Sequence, residues 1–341
     1  WSRGLGDVYK RHIVHLRGSP TNNFFYDLSF IYSNDILAPP NWKQIFITID
    51  PEKNYYLSSK SNSRGKKIHI TNLISCIPSD SLIIPHLFCY SGMTDYRNYF
   101  ETFLNFRLLG STGYTMGLAT DKHKTKKIVK RAGLSVADGI LVHNGKIPRL
   151  KFPFILKPNK EDNSTGVVLI KNKYQFKKMI TLLKKNYNQV LAEEFVPGRE
   201  IRVAVIERNN EFYVPAMIEY LVSTDYPIRH TEDKLDLNNL GLPYQQSNRT
   251  PLKSVCPANV ENNLKDEIIF SAISAHKALG ARHYSLFDFR IDERTNKPIF
   301  LEAGLFWSFS KLSMISKMLY SGGDNLLNTI DQIWHQALDL D

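Results

Sequence analysis

The sequence predicts an α/β protein of two or three domains, and three observations carry that reading. Short apolar runs alternate with helix-like stretches from one end to the other. A chain of 341 residues leaves room for several domains of roughly 100 to 200 residues each. A composition of 43% hydrophobic and 23% charged residues is globular, which excludes a disordered tail or a small disulfide-stapled scaffold.

Between His12 and about Gly110, the runs Ile13–Leu16, Ile45–Ile49 and Leu82–Ile84 read as strands of a largely buried sheet. Ser58–Lys67 reads as a polar, basic loop. Thr120-Asp121 is an N-cap signal for a helix from Lys122, with Ile128, Val129 and Ala132 at helical spacing and Gly133 as its stop. Lys122, Lys126 and Lys130 form one stripe of it. Strands are expected at Gly139–Val142, Phe152–Lys157 and Val167–Ile170, a helix at about Tyr174–Lys185, and a strand at Gln189–Val196 that ends on a Pro197-Gly198 hinge. A hairpin follows, with Ile201–Ile206 and Phe212–Tyr220 joined at Asn209-Asn210. The polar excursion Ser223–Ala258 is long for a compact domain and reads as a lid. A helix at Lys265–Leu279 leads to a second hairpin, Tyr284–Ile291 and Pro298–Ala303, turning at Thr295-Asn296, and to a helical tail.

Charge narrows the partners. Lys plus Arg less Asp plus Glu is 44 − 33 = +11, a surplus that favours an anionic ligand. Cys76, Cys89 and Cys256 are too few and scattered for a disulfide framework, so a reducing cytoplasm is the expected compartment. No apolar run approaches the roughly 18 to 20 residues of a spanning helix, and no membrane partner is expected. Trp1–Arg11 lacks an apolar core and reads as a trimmed or appended end, not a signal peptide.

Several groups can carry chemistry. The loop Lys160–Val167 follows a strand ending in Lys157, and its small residues can close backbone N–H groups over a polyphosphate. It contains neither GxxxxGK[ST] nor GxGxxG, so an ordinary hairpin loop is the competing reading. The Lys157 ammonium at the end of an oily strand calls for an anion, unless it snorkels to water. Asp288 and Glu302 sit in the two apolar strands of one expected hairpin, where they repel unless a cation lies between them. Paired carboxylates plus substrate phosphates suit Mg2+, the alternative being a strand face open to water. Arg290, two residues beyond Asp288, shares its face. Glu193, Glu194 and Glu200 interrupt another apolar stretch and can accept from amino and hydroxyl groups of the kind an adenine and a ribose offer, or form a solvated strand end.

The order of these motifs resembles the ATP-grasp ligases of the D-alanine–D-alanine ligase type: Lys122 on a helix, FPFILKP with its loop, VLAEEFVPGRE, and the hairpin LFDFRID…PIFLEAG, spanning about residues 80 to 320. The strings RHYSLFDFRID, FLEAGLFWSFSKLSMISKM, EYLVSTDYPIRHTEDK and HLRGS…FFYDLS are most similar to the branch that makes mycosporine-like amino acids. The resemblance implies a three-domain ATP-grasp fold, with units at 1–112, 113–197 and 198–341 and the nucleotide held between the last two. It implies ATP-dependent attachment of a free amino acid such as Ser, Thr or Gly to the cyclohexenone mycosporine-glycine through a phosphorylated intermediate, giving an imine product. A D-alanine–D-alanine or other dipeptide ligase is the alternative.

By the same resemblance, Lys122 and Lys157 would hold the α and β phosphates beneath Ser164–Gly166. The adenine would meet Glu193 and the backbone from Glu194 to Val196, and the ribose Glu200. Lys234 would reach the γ-phosphate, Asp288 and Glu302 would bind magnesium, with two ions expected, and Ser313 would help hold the second substrate's carboxylate. Phe306, Trp307 and Phe309 could wall a flat ring. Two positions depart from the family: Gly304 stands where the ligases carry a metal-binding Asn, and Leu286 where they carry an oxyanion-steadying Arg. Arg202, Arg282 or Arg290 could replace that cation, with Arg290 favoured. A homodimer is expected. The remaining rival is a nucleic-acid-binding module built on the KHKTKKIVKR helix, but no RNP, KH or helix-turn-helix pattern accompanies it, so no nucleic-acid partner is expected.

Overall fold

The computed structural model describes residues 11–230, 253–311 and 313–339, which form three sheets in chain order. The first contains β1 (Arg11–Gly18), β2 (Trp42–Ile49), β3 (Tyr55–Ser58), β4 (Lys66–Ile68), β5 (Leu82–Pro85) and β6 (Arg107–Leu108), in the order β4-β3-β2-β1-β5-β6. β1 lies between β2 and β5 and is parallel to both. Such a strand must be covered on both faces. Ile13, Leu82 and Ile84 face one core, while Val14, Ile47 and Ile83 face another. The basic stretch expected as a loop is partly sheet, since its ends pair as the β3–β4 hairpin. α1 (Asn23–Asn34) starts at Asn22, whose side chain accepts from Phe25 N, and α2 (Ile70–Leu73) is a single turn.

α3 (Gly113–Thr120) and α4 (Lys122–Arg131) lead into the second sheet. The Asp121 side chain caps α4 by accepting from Lys124 N at 3.1 Å, and Gly133 stops it at φ +89°. The sheet has the order β7-β10-β8-β9 from β7 (Gly139–Leu141), β8 (Phe154–Pro158), β9 (Val168–Ile170) and β10 (Val190–Glu194), with α5 (Lys173–Asn186) on one face. The two-residue period of the strands sorts the side chains. Phe154, Leu156, Val190 and Ala192 join Phe176 and Ile180 of α5 in the core, which turns Lys157 and Glu193 to the other face.

The third sheet holds β11 (Gly198–Arg208), β12 (Glu211–Tyr213), β13 (Ile218–Tyr220), β14 (Ser254–Val255), β15 (Tyr284–Asp292) and β16 (Pro298–Gly304). The segment expected as one strand from Phe212 to Tyr220 is divided. Pro215, which has no N–H to donate, lies between β12 and β13, and both pair with β11. Most of the expected lid Ser223–Ala258 lies outside the described residues, and its end belongs to the sheet as β14, paired with β13. α6 (Asn262–Ala278) covers the face bearing Ile201, Val203, Phe287 and Phe289. α7 (Met314–Ser321) and α8 (Leu326–Asp339) pack on the other face, and Trp42 Nε1 donates to Asp331 Oδ1 at 2.7 Å, tying α8 to the first sheet. No helix among the described residues is long and apolar enough to cross a membrane.

The hinge expected at Pro197-Gly198 is a tightly packed junction. Gly198 has φ +128°, and a Cβ placed there would lie 2.0 Å from the Ile291 carbonyl oxygen. Gly198→Ala should therefore cost roughly 2 to 4 kcal/mol, read as a lowered melting temperature with unchanged far-ultraviolet dichroism at low temperature.

Candidate functional site

The charged face of the second sheet meets the charged half of the third across a narrow cleft. On β11 and β15 the even-numbered residues share one side. Ala204, Ile206, Tyr284 and Leu286 are apolar there and pack against the core under α7 and α8. Further along the same strands the side becomes charged, with Glu200 and Arg202 opposite Arg290 and Asp288 in the strand register. The cleft is lined by Lys122, Lys157, Ser164, Glu193, Glu194, Val196, Glu200, Asp288, Arg290 and Glu302, so ten of the expected residues come together. Lys234 lies outside the described residues.

Its charges neutralise one another in two clusters. Glu193, 3% exposed, accepts from Lys157 Nζ at one oxygen and from Lys126 Nζ at the other. Burial alone would raise the Glu193 carboxyl, but the two lysines outweigh it and hold it low. Burial likewise pulls the Lys126 ammonium down to about 8, with Lys157 repelling it and Glu193 supporting it. Both oxygens of Glu193 are thus engaged by the lysines, which makes it their counterion on the wall of the cleft. Lys126 was visible in the sequence only as part of the helix stripe; its four-residue offset from Lys122 is the signal that places it on the cleft side.

The second cluster surrounds Asp288. Arg202 grips it with two parallel hydrogen bonds of 2.6 Å, and Arg229 donates to the same carboxylate at 3.1 Å. Against the penalty of burial, the two guanidiniums hold the Asp288 carboxyl below its ordinary range. Glu200 pairs with Arg290 at 3.0 Å and with Arg229 at 2.5 Å. Nothing in the sequence marks Arg229, because its partners Glu200 and Asp288 stand 29 and 59 residues away in the chain. Asp288 and Glu302 face each other across β15 and β16, and Lys122 Nζ lies 4.0 Å from Glu302. This pair is an all-oxygen donor set that suits a hard divalent cation completing its shell with phosphate and water. Among the described residues no cluster of three or more His, Cys, Asp or Glu is arranged for a metal.

Between β8 and β9, Asn163, Ser164 and Gly166 all take positive φ, of 55°, 60° and 71°. Backbone of this kind turns N–H groups toward one side, the arrangement that binds anions, and the loop borders the cleft.

Beside the cleft opens a larger chamber of about 720 Å³. Phe24, Phe25, Tyr32, Phe88, Tyr90 and Phe306 contribute aromatic rings to it, and Ser313 lies on its wall. The Ser313 hydroxyl also caps α7, accepting from Ser316 N at 3.1 Å. Of the three aromatics Phe306, Trp307 and Phe309, Phe306 lines the chamber. Trp307 and Phe309 stack on each other, 2% and 0% exposed, inside the apolar core. Arg290 lines the cleft but not the chamber, and Arg282 is turned to Glu101 and the Gly110 carbonyl, so Arg202 is the member of the three that faces the chamber. The two departures from the family, Leu286 and Gly304, are direct strand partners on its wall.

The family model for the D-ala D-ala ligase C-terminus matches residues 137–335. The D-alanine–D-alanine ligase of Chlorobium luteolum is 26% identical over 247 residues, 65% of this chain and 61% of that one. The enzyme of the same name from Brucella anthropi is 31% identical over 182 residues, 52% of this chain and 54% of that one. The chain thus spans little more than half the length of these curated relatives. The VanG D-Ala:D-Ser ligase of Enterococcus faecalis superposes with a TM-score of 0.76 at 18% identity, covering 96% of this chain and 99% of that one, a likeness of fold. With the family model matching more than half of its residues, this chain belongs to the D-alanine–D-alanine ligase C-terminus family.

Proposed function

We propose that this chain is an ATP-dependent ligase that forms a carbon–nitrogen bond, with ATP in the cleft and the group to be activated in the chamber. The observation that carries the reading is the wall the two spaces share. Asp288, Glu302, Glu161 and Thr165 line both, so a phosphoryl group at the end of a nucleotide in the cleft stands at the chamber's edge. In this reading Lys122 and Lys157 hold the α and β phosphates under the Ser164–Gly166 loop. Glu193 keeps Lys126 and Lys157 in place, the backbone from Glu194 to Val196 meets the adenine, Glu200 takes the ribose, and Lys234 reaches the γ-phosphate. Asp288 and Glu302 hold magnesium, proposed as two ions, which supplies charge neutralisation on the transferred group. The units 1–112, 113–197 and 198–341 and a homodimeric assembly belong to the same proposal.

The reaction divides into two balanced steps. The acceptor oxygen attacks the γ-phosphorus, and ADP leaves. The amine then attacks the carbon bearing the phosphorylated oxygen, the C–N bond forms, the C–O bond breaks, and phosphate departs with the amine proton going to solvent or a nearby base. Positioning and charge neutralisation do most of this work.

The named relatives favour an amino-acid acceptor, D-alanine or another dipeptide precursor. The chamber supports the finer reading taken from the sequence, mycosporine-glycine as acceptor and a free amino acid such as Ser, Thr or Gly as donor. Its aromatic lining suits a flat ring, and the Leu286–Gly304 rung removes the family arginine and asparagine together from its wall. ADP release is to be measured with ATP, Mg2+ and each acceptor. Mycosporine-glycine plus an amino acid should release ADP and shift the near-ultraviolet band to the red, whereas ADP released with D-alanine alone would establish the dipeptide reading.

Two variants test the site. Lys157→Ala should weaken ATP binding at least about tenfold, because the cleft loses a buried cation facing the phosphates. Glu302→Gln should leave nucleotide affinity nearly unchanged while lowering kcat by about two orders of magnitude. Isothermal titration and steady-state rates separate the two effects.

The pH dependence has a defined sign. Lys126 lies behind the cleft wall, paired with Glu193; it is charged below about 8 and neutral above it, so the surroundings of Glu193 and Lys157 lose a positive charge as the pH rises through that value. ATP affinity should fall across this interval in the wild type, and Lys126→Met should flatten the fall, as read by nucleotide titrations on either side of pH 8.

A further inference from the structure

Arg229 is buried to 5% exposure between two acids, over the ring of Tyr220 at 3.7 Å. Its Nε donates to Glu200 and its Nη2 to Asp288. Each acid already has a cation of its own: Arg290 stands 3.0 Å from Glu200, and Arg202 holds both oxygens of Asp288. Three guanidiniums meet these two carboxylates, and Arg229 is the one that bridges both of them. It projects from the excursion and not from a sheet strand, and it fills space in the cleft between the acid assigned to the ribose and the acid assigned to the metal. A guanidinium bridging two carboxylates stands where an incoming cation would stand.

We propose that Arg229 is an internal competitor for the metal–nucleotide site: it occupies Glu200 and Asp288 in the empty protein and is displaced only when a divalent ion arrives together with nucleotide phosphates. The inference rests on the reading of the cleft as a magnesium–nucleotide site. A bare divalent ion approaching Asp288 meets two guanidiniums within hydrogen-bonding distance of the same carboxylate, and their repulsion opposes it. A triphosphate reverses that balance, since it brings negative charge for the displaced arginine and further oxygen ligands for the metal. The site would thus discriminate against free ions and accept the complex.

The test uses Mn2+ as the probe, followed by electron paramagnetic resonance with and without β,γ-imido-ATP, on the wild type, Arg229→Gln and Arg229→Lys. The wild type should bind Mn2+ only with the nucleotide. Arg229→Gln should bind the Mn2+–nucleotide complex about tenfold more tightly, the scale of one lost charge-assisted hydrogen bond, and should take up Mn2+ measurably without nucleotide. Arg229→Lys, which keeps the charge but cannot bridge both acids, should fall between them. Arg202 and Arg290 still pair both acids in these variants, and circular dichroism verifies that each is folded. Weaker nucleotide binding by Arg229→Gln would make Arg229 a nucleotide ligand and overturn the proposal, as would values equal to the wild type. Failure of every protein to bind Mn2+ even with nucleotide would instead overturn the reading of the cleft itself, and this inference with it.

Discussion

The arrangement depends on charge buried in oily strands and neutralised at short range. Glu193 and Asp288 each sit in a sheet at 3% exposure, where an isolated carboxylate would pay heavily for its lost hydration. Each survives by accepting from two cations, Lys126 and Lys157 for one, Arg202 and Arg229 for the other. These pairings contribute little net stability, because the Coulomb attraction mainly repays desolvation. What they provide is a set of charges already stripped of water and held in place, the preorganisation that phosphoryl chemistry exploits.

The strands supply this placement through their period of two. On β8, Phe154 and Leu156 face α5, which obliges Lys157 to face the cleft. On β11 and β15, the odd positions Ile201, Val203, Phe287 and Phe289 face α6, which obliges Glu200, Arg202, Asp288 and Arg290 to share the other side. Two helices, each burying an apolar stripe, thereby aim two rows of charge at one another. The core and the site are products of the same alternation, so a residue cannot leave one face without entering the other.

This explains which parts could be read from the sequence. Asp288, Glu302, Lys157 and Glu193 were legible because each breaks an apolar run, and the hairpin that carries the two acids was bounded by its turn at Thr295-Asn296. The strand division at Pro215 was missed because hydrophobicity continues on both sides of it. Trp307 and Phe309 misled because the residues after a strand carry no periodic signal of the face they occupy, and both turned into the core. Arg229 was hidden for a different reason: it is defined by a partner far away in the chain, Asp288, and no local pattern encodes such a pairing, while the helix stripe gives the side Lys126 takes but not its partner Glu193. The partner of Arg202 was hidden in the same way, since it is strand register that delivers it to Asp288.

The pairing of Leu286 with Gly304 on one rung of the β15–β16 ladder bears on how such a protein could change its substrate over evolutionary time. A Cβ at Gly304 would meet only the Leu286 carbonyl oxygen, at 3.8 Å, so there is room for a side chain there, and one large enough to reach across the rung would share its patch of wall with Leu286. Drift at these positions would be epistatic: a bulky polar group introduced at one site is judged by what its opposite number leaves room for, and lineages would tend to exchange both residues within a short interval or neither.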